Sequence, residues 1–251
     1  SSLNEISGMV VSRLNTGVIW VHEDSGAEAI LSAINTAGDT VATLRLTNAS
    51  NTDWEDMALA PCGDTDCLWV GDIGDNSNNR TDVHLLRVEE PTLSVPGEAL
   101  TALATAFPFR YPEGPQDAEA LVVDHQGQPH VLTKRTDSTS RIYRIPTDGS
   151  EIATLVESIA TGEPSGLPTS TTAADIWPDG QRLLVRGYLR TFELSLEETG
   201  MDTANSATSS PVVTGLDPQG EAIAYDPSGP SIWHVSEGTN PALWFISCAE
   251  R

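Results

Sequence analysis

Ser7-Gly8-Met9-Val10, Glu55-Asp56-Met57-Ala58, Glu119-Ala120-Leu121-Val122, Ala174-Asp175-Ile176-Trp177 and Glu221-Ala222-Ile223-Ala224 are five variants of one short theme. Their first residues lie 48, 64, 55 and 47 positions apart. After a turn, each is followed by a β-branched or aromatic run, at residues 18–22, 67–70, 130–133, 182–186 and 231–235. Such a period, with several short strands in each unit, is what a β-propeller blade requires. Further strands are expected at 29–35 and 40–47 in the first unit, and at 141–146 and 152–159 in the third. The nearest helical candidates, 26–35 and 194–203, lack a sustained apolar stripe. The expectation is therefore an all-β chain, one five-bladed β-propeller domain over residues 1–251 with blades starting near 5, 53, 117, 172 and 219. Its last blade reads as incomplete, because no fourth strand follows 242–248, and a closing strand upstream of Ser1 would complete it. An open β-sandwich with irregular repeats is the alternative, but it leaves the recurring theme unexplained.

Composition limits the partners. Of 251 residues, 36 are acidic and 13 basic, for a formal net charge of −23, and Lys134 is the sole lysine. That balance opposes nucleic acid and anionic membrane surfaces, both of which need clustered positive charge. A hydrophobic fraction of 39% with six tryptophans is enough for a packed core. No apolar run approaches the roughly 20 residues needed to cross a bilayer. Residues 1–5 hold neither a basic nor an apolar targeting segment, so any signal peptide is expected to have been removed. Cys62 and Cys67 flank Gly-Asp-Thr-Asp, a loop short enough to bring the two within disulfide range. A disulfide there implies an oxidising compartment, so a secreted, periplasmic or cell-surface monomer is expected. Cys248 is left as a free thiol or as the partner of a cysteine upstream.

Propeller geometry converts register into a site. Neighbouring strands of a blade are antiparallel, so the start of strand one and the end of strand two share one face of the disc. Ser7, Glu55, Glu119, Ala174 and Glu221 stand at the first position, and His22, Asp72, Lys134, Arg186 and Glu237 near the second. Asp24, Asp75 and Arg135 follow closely. Three glutamates near one axis repel, so a cation, protons or basic side chains must answer them. Oxygen ligands favour Ca²⁺ held by Glu55, Glu119 and Glu221, whereas zinc finds nitrogen only at His22. An ion-pair cluster with Lys134, Arg135 and Arg186 is the alternative. Asp56 and Asp175, one residue further on, are expected to point away from the channel. Trp20, Trp69 and Trp233 recur at matching strand-two positions and are expected to pack between blades.

At these motifs the chain resembles bacterial secreted propellers of the SdiA-regulated type and the "esterase-like activity of phytase" group. The likeness is carried by Ile6-Ser7-Gly8-Met9, Trp20-Val21-His22-Glu23-Asp24-Ser25-Gly26 and Asp53-Trp54-Glu55-Asp56-Met57-Ala58. Gly71-Asp72-Ile73-Gly74-Asp75-Asn76, Asp117-Ala118-Glu119-Ala120-Leu121 and Gly220-Glu221-Ala222-Ile223-Ala224-Tyr225 continue it. The resemblance implies a propeller whose channel glutamates, here Glu55, Glu119 and Glu221, bind calcium or another divalent metal. Ala174 and Ser7 depart from that pattern.

Two functions follow. The first is metal-assisted hydrolysis of an ester, lactone or phosphoester, with His22 or Asp72 as base. Asp24, Asp75, Lys134, Arg186 and Glu237 would then line the substrate pocket, with Lys134 and Arg186 meeting an anionic group. The second is a non-catalytic propeller that binds a saccharide or other small extracellular ligand around a structural metal. No Gly-x-Ser-x-Gly elbow, His-Glu-x-x-His helix, Walker loop or Gly-x-Gly-x-x-Gly turn is present.

Overall fold

The computed structural model of the chain describes residues 3–161, 170–196, 200–215, 219–236, 238–239 and 241–247. Its strands form five sheets arranged around one axis, antiparallel except for one edge pair. Blade one is β1 (Ile6–Val11), β2 (Val18–Glu23), β3 (Ile30–Asn35) and β4 (Thr40–Leu46). Blade two is β5 (Trp54–Cys62), β6 (Thr65–Asp72), β7 (His84–Glu89) and β9 (Thr105–Pro108), while β8 (Glu98–Ala102) leaves it to pair in parallel with β4. Blade three is β10 (Ala118–Val123), β11 (Pro129–Thr133), β12 (Thr139–Arg144) and β13 (Thr154–Ala160). Blade four is β14 (Thr171–Ile176), β15 (Arg182–Gly187), β16 (Thr191–Ser195) and β17 (Thr208–Val212), with a 3-10 helix over Gly200–Ser206 before its last strand. Blade five has three strands among the described residues, β18 (Gly220–Tyr225), β19 (Ile232–Ser236) and β20 (Leu243–Ile246).

Both faces of each sheet are covered by a neighbouring blade. That is why Ala118–Val123 reads as an unbroken buried run rather than an alternating one. The core accordingly divides into five clusters, one at each junction. Trp20 and Leu31 meet Met57 and Leu68 between blades one and two, and Trp69 and Leu85 meet Leu121 and Tyr143 between two and three. Leu132 and Ile142 meet Leu183 and Val185 between three and four, and Leu184 meets Ile223 and Tyr225 between four and five. The ring closes where Met9 and Ile19 pack on Ala222, Ala224 and Trp233. A backbone hydrogen bond from Glu5 to Gly238 and a bridge between Asn4 and Thr239 reinforce that closure. Trp20, Trp69 and Trp233 therefore fill three different junctions. Small residues dominate the innermost strands, as at Gly8, Ala120, Ala173 and Ala222, because five strands crowd one axis there.

Every innermost strand carries a bulge near its start, which opposes two residues to one on the partner strand. The extra residue is Ser7, Glu55, Glu119 and Thr172 in blades one to four, and the irregularity in blade five spans Glu221. Two expectations change as a result. The fourth blade's ring residue is Thr172, not Ala174, and the Thr172 hydroxyl donates to the Gly220 carbonyl of blade five at 2.7 Å. Ser7 does the same toward the Glu55 carbonyl of blade two at 2.5 Å.

Asp56 also departs from the expectation, because the bulge breaks the alternation that would have turned it away. It is fully buried and crosses to two other blades. Its Oδ2 accepts the amides of Leu121 (2.9 Å) and Ala174 (3.1 Å), and its Oδ1 that of Met57 (2.8 Å). Asp175 likewise accepts the Tyr225 amide of blade five at 2.8 Å. Cys62 and Cys67 form a disulfide with Cα atoms 5.7 Å apart, closing the β5–β6 hairpin. Cys248 and Glu237 lie outside the described residues. No described helix is long and apolar enough to cross a membrane.

Candidate metal centre at the channel mouth

A pocket of about 230 Å³ opens on the face where the innermost strands begin. Ser7, Glu55, Glu119 and Glu221, all at or beside a bulge, line it together with Glu5, Asp24, Asn76, Lys134, Tyr188 and Gln219. The bulges matter chemically. They aim one side chain per blade at the axis, and in blades two, three and five that side chain is a glutamate.

The three glutamates are not equivalent. Glu119 accepts a charge-assisted hydrogen bond from Lys134 Nζ at 2.5 Å, and the Lys134 ammonium lies 5.3 Å from the centroid of the Tyr188 ring. Burial pulls the Lys134 pKa down, but the adjacent Glu119 more than offsets it and holds the ammonium charged. Glu221 accepts from the Gln219 side-chain amide at 3.0 Å. Glu55 is only 5% exposed, and among the described residues no hydrogen-bond donor reaches its carboxylate. Burial, and then Glu119, Asp24 and Asp53, push its pKa well above the usual carboxylate range.

Beside Glu55 stand Asp24 and Asp53. One oxygen from each of the three carboxylates lies within 4.8 Å of the others, close enough for a single ion to bridge them. Burial and the neighbouring Asp24 raise Asp53 to about 6, and burial raises Asp24 as well. Glu119 is raised to about 7, with burial outweighing the attraction of Lys134. Three oxygen donors with no nitrogen or sulfur among them suit a hard cation such as Ca²⁺.

The loop after β6 shapes this cluster. Gly74 approaches so closely that a Cβ there would collide with Glu55 Oε1 and with the Asp53 carboxylate. Gly74→Ala is thus expected to displace both carboxylates while leaving the sheets intact. Circular dichroism should be unchanged and calorimetric titration with Ca²⁺ should show binding weakened at least ~10-fold, since ligand geometry is what a metal site depends on. Unchanged affinity would exclude Asp53 and Glu55 as joint ligands.

The other residues singled out in the sequence take different places. His22 is 1% exposed and packs edge-on against Trp54, with Nδ1 3.1 Å from the Glu23 carbonyl. Burial lowers its pKa to about 4, so it is neutral. Gly8 lies against its ring, where a Cβ would clash. Asp72 is fully buried, and its Oδ1 accepts from Arg80 at 2.6 Å and from the Asp53 amide at 3.2 Å. Its Oδ2 accepts the Thr52 amide at 3.2 Å. Asp75 caps its own loop by accepting the Asn79 and Arg80 amides, both at 2.9 Å. Its own amide donates to Asp117 of blade three at 2.8 Å. Arg186 is 1% exposed and packs against Gly220, and Arg135 pairs with Asp137 at 2.6 Å. None of these five lines the pocket, whereas Asp24 and Lys134 do. Asp53 was legible as half of an acidic-x-Glu pair, repeated at Asp117 and Glu119.

No protein-family model matches the chain, and no curated protein matches it. Among solved structures it is similar to the PQQ-bound form of aldose sugar dehydrogenase from Streptomyces coelicolor, with a TM-score of 0.57 at 13% identity. That match covers 97% of this chain and 94% of the other. It is also similar to the β-propeller domain of Myceliophteria thermophila Cps50 (Swd1), with a TM-score of 0.48 at 13% identity, over 96% and 84% of the two chains. At such identity the first likeness speaks for the β-propeller fold alone.

Proposed function

We propose that this chain is a secreted propeller that binds a divalent cation, Ca²⁺ by its donor set, at the mouth of its channel and presents it to a small oxygen-rich ligand. The observation that carries the reading is the Glu55 carboxylate, buried, without a donor, and clustered with Asp24 and Asp53. A buried carboxylate in that position costs several kcal/mol unless a cation or a proton answers it. Lys134 is the basic side chain among the described lining residues, and Glu119 already holds it. The ligand set of this proposal is therefore Asp24, Asp53 and Glu55, with Glu119 and Glu221 facing the same opening. The Cys62–Cys67 disulfide and the net charge of −23 support export to an oxidising compartment.

Asp24 and Asp53 are only half-buried, which leaves coordination positions on the solvent side for water and ligand. A divalent cation held there would supply the chemistry of metal-assisted hydrolysis, polarising a carbonyl or phosphoryl oxygen and acidifying water. The chain's own residues would orient the ligand: Tyr188, Asn76 and Gln219 by hydrogen bonds, and Glu119 or Glu221 as proton acceptor. A second reading, non-catalytic binding, is favoured by His22 and Asp72 being packed away from the pocket, so that neither serves as base.

A panel of ester, lactone and phosphoester substrates, assayed with and without Ca²⁺, separates the two. Calcium-dependent turnover that falls at least ~100-fold in Glu119→Gln supports the hydrolase, following the usual size of a general-base effect. Calcium binding without turnover of any substrate supports the binding module.

A further inference from the structure

The mouth carries a charge balance that bears on its ligand. Glu5, Asp24, Glu55, Glu119 and Glu221 line it and Asp53 borders it, against the single ammonium of Lys134. Among the described residues the carboxylates outnumber the cation so far that a bound divalent ion still leaves this lining net negative. Two described basic groups on this side are already engaged. Lys134 is held by Glu119 at 2.5 Å. Arg80 donates to Asp72 at 2.6 Å and to the Gly74 carbonyl at 2.7 Å. Arg186 is 1% exposed and outside the lining. The other described polar groups of the lining are uncharged, among them the Asn76 and Gln219 amides and the Tyr188 phenol. The volume of about 230 Å³ suits one sugar-sized ring rather than a polymer segment.

We infer that this mouth selects a neutral or cationic polyhydroxyl ligand and turns away phosphorylated and carboxylated ones. The inference rests on the calcium reading and narrows it, because it removes phosphoesters from the substrate classes and leaves neutral esters and lactones of polyols. Hydroxyl groups can complete the coordination of a hard cation without adding charge. An anionic group would have to approach Glu55, Glu119 and Glu221 with no free basic side chain among the described lining residues to receive it. Glu119 sets the selection twice over, by its own charge and by holding Lys134 away from the ligand.

Three matched hexoses test this: glucose, glucosamine and glucose 6-phosphate, titrated into the protein by calorimetry at low salt, with and without Ca²⁺. The expected order is glucosamine tightest and glucose 6-phosphate at least ~10-fold weaker than glucose, the gap shrinking at high salt. In Glu119→Gln the released Lys134 should narrow the gap to within ~3-fold, and Glu119→Asp should restore it. Glucose 6-phosphate binding as tightly as glucose to the wild type, or no binding of any hexose, would overturn the inference. A flat Ca²⁺ isotherm overturns the calcium reading instead, because the sugar ranking is measured independently in calcium-free protein.

Discussion

Asp56→Ala should lower stability by about 3–5 kcal/mol, because it strands three buried amides at once, each costing about 1–3 kcal/mol without a partner. The amides belong to Met57, Leu121 and Ala174, on the innermost strands of blades two, three and four. The carboxylate is fully buried, so bulk solvent does not reach these amides. For a chain of this size the loss corresponds to roughly 10 °C in Tm. Asp56→Asn should cost less, about 1–3 kcal/mol, since one carboxamide oxygen can still serve Leu121 and Ala174 while Met57 loses its acceptor. Urea denaturation of both variants checks the order. An Asp56→Ala change within about 0.5 kcal/mol of wild type, the range of an ordinary surface substitution, would show that the bridge across the channel is not needed.

Saturating Ca²⁺ should raise Tm by roughly 5–10 °C, the shift expected for a cation present at about 100 times its Kd in a domain of this size. Glu55→Gln should abolish that shift, yet melt no lower than wild type when calcium is absent, since it removes a buried, donorless carboxylate. A Glu55→Gln protein that still responds fully to calcium would place the ion elsewhere. The effect also has a pH signature. Asp53 and Glu119 titrate near 6 and 7 in the folded chain, above their unfolded values. The calcium-free protein therefore binds protons that the unfolded chain does not, and it gains stability as pH falls from 8 toward 5. Calcium must displace those protons, so its shift shrinks over the same window. His22 and His130, both lowered by burial to about 4, act in the opposite sense between about 6.5 and 4. Melting curves at pH 8, 7.5 and 7 thus isolate the carboxylates. A calcium shift that grows on acidification would contradict this account.

How much of this could be read beforehand depends on what sequence spacing encodes. The five blades were legible because each begins with the same two strands, and a covered sheet makes the middle of both apolar on both faces, as at Leu121 and Val131. The register that brings Glu55, Glu119 and Glu221 to one opening was legible for the same reason. The bulges were not. An inserted residue leaves no mark in an alternating pattern when both faces are buried, so spacing alone points to Ala174 instead of Thr172 in blade four and to an Asp56 facing away from the channel. Contacts between side chains from different blades were equally hidden. Nothing in the spacing of Lys134 and Glu119 distinguishes a closed ion pair from a lysine free to receive an anion. Nor does Glu98–Ala102 announce that it belongs to the sheet of blade one, since a parallel edge pairing is chosen by where the chain travels and not by local propensity.

That displaced strand, β8, has a consequence for the ion. It leaves blade two and runs alongside β4 of blade one, so these two blades cannot breathe apart without stripping a five-residue ladder. Asp24 comes from blade one, and Asp53 and Glu55 from blade two. The proposed ligands therefore straddle the one junction that is latched on its outer side by an exchanged strand, among the described residues. A clasp of that kind holds the span between the carboxylates nearly constant, which disfavours contraction around a smaller ion. Mg²⁺, which demands shorter bonds and near-ideal octahedral geometry, should be a poor competitor for this cleft.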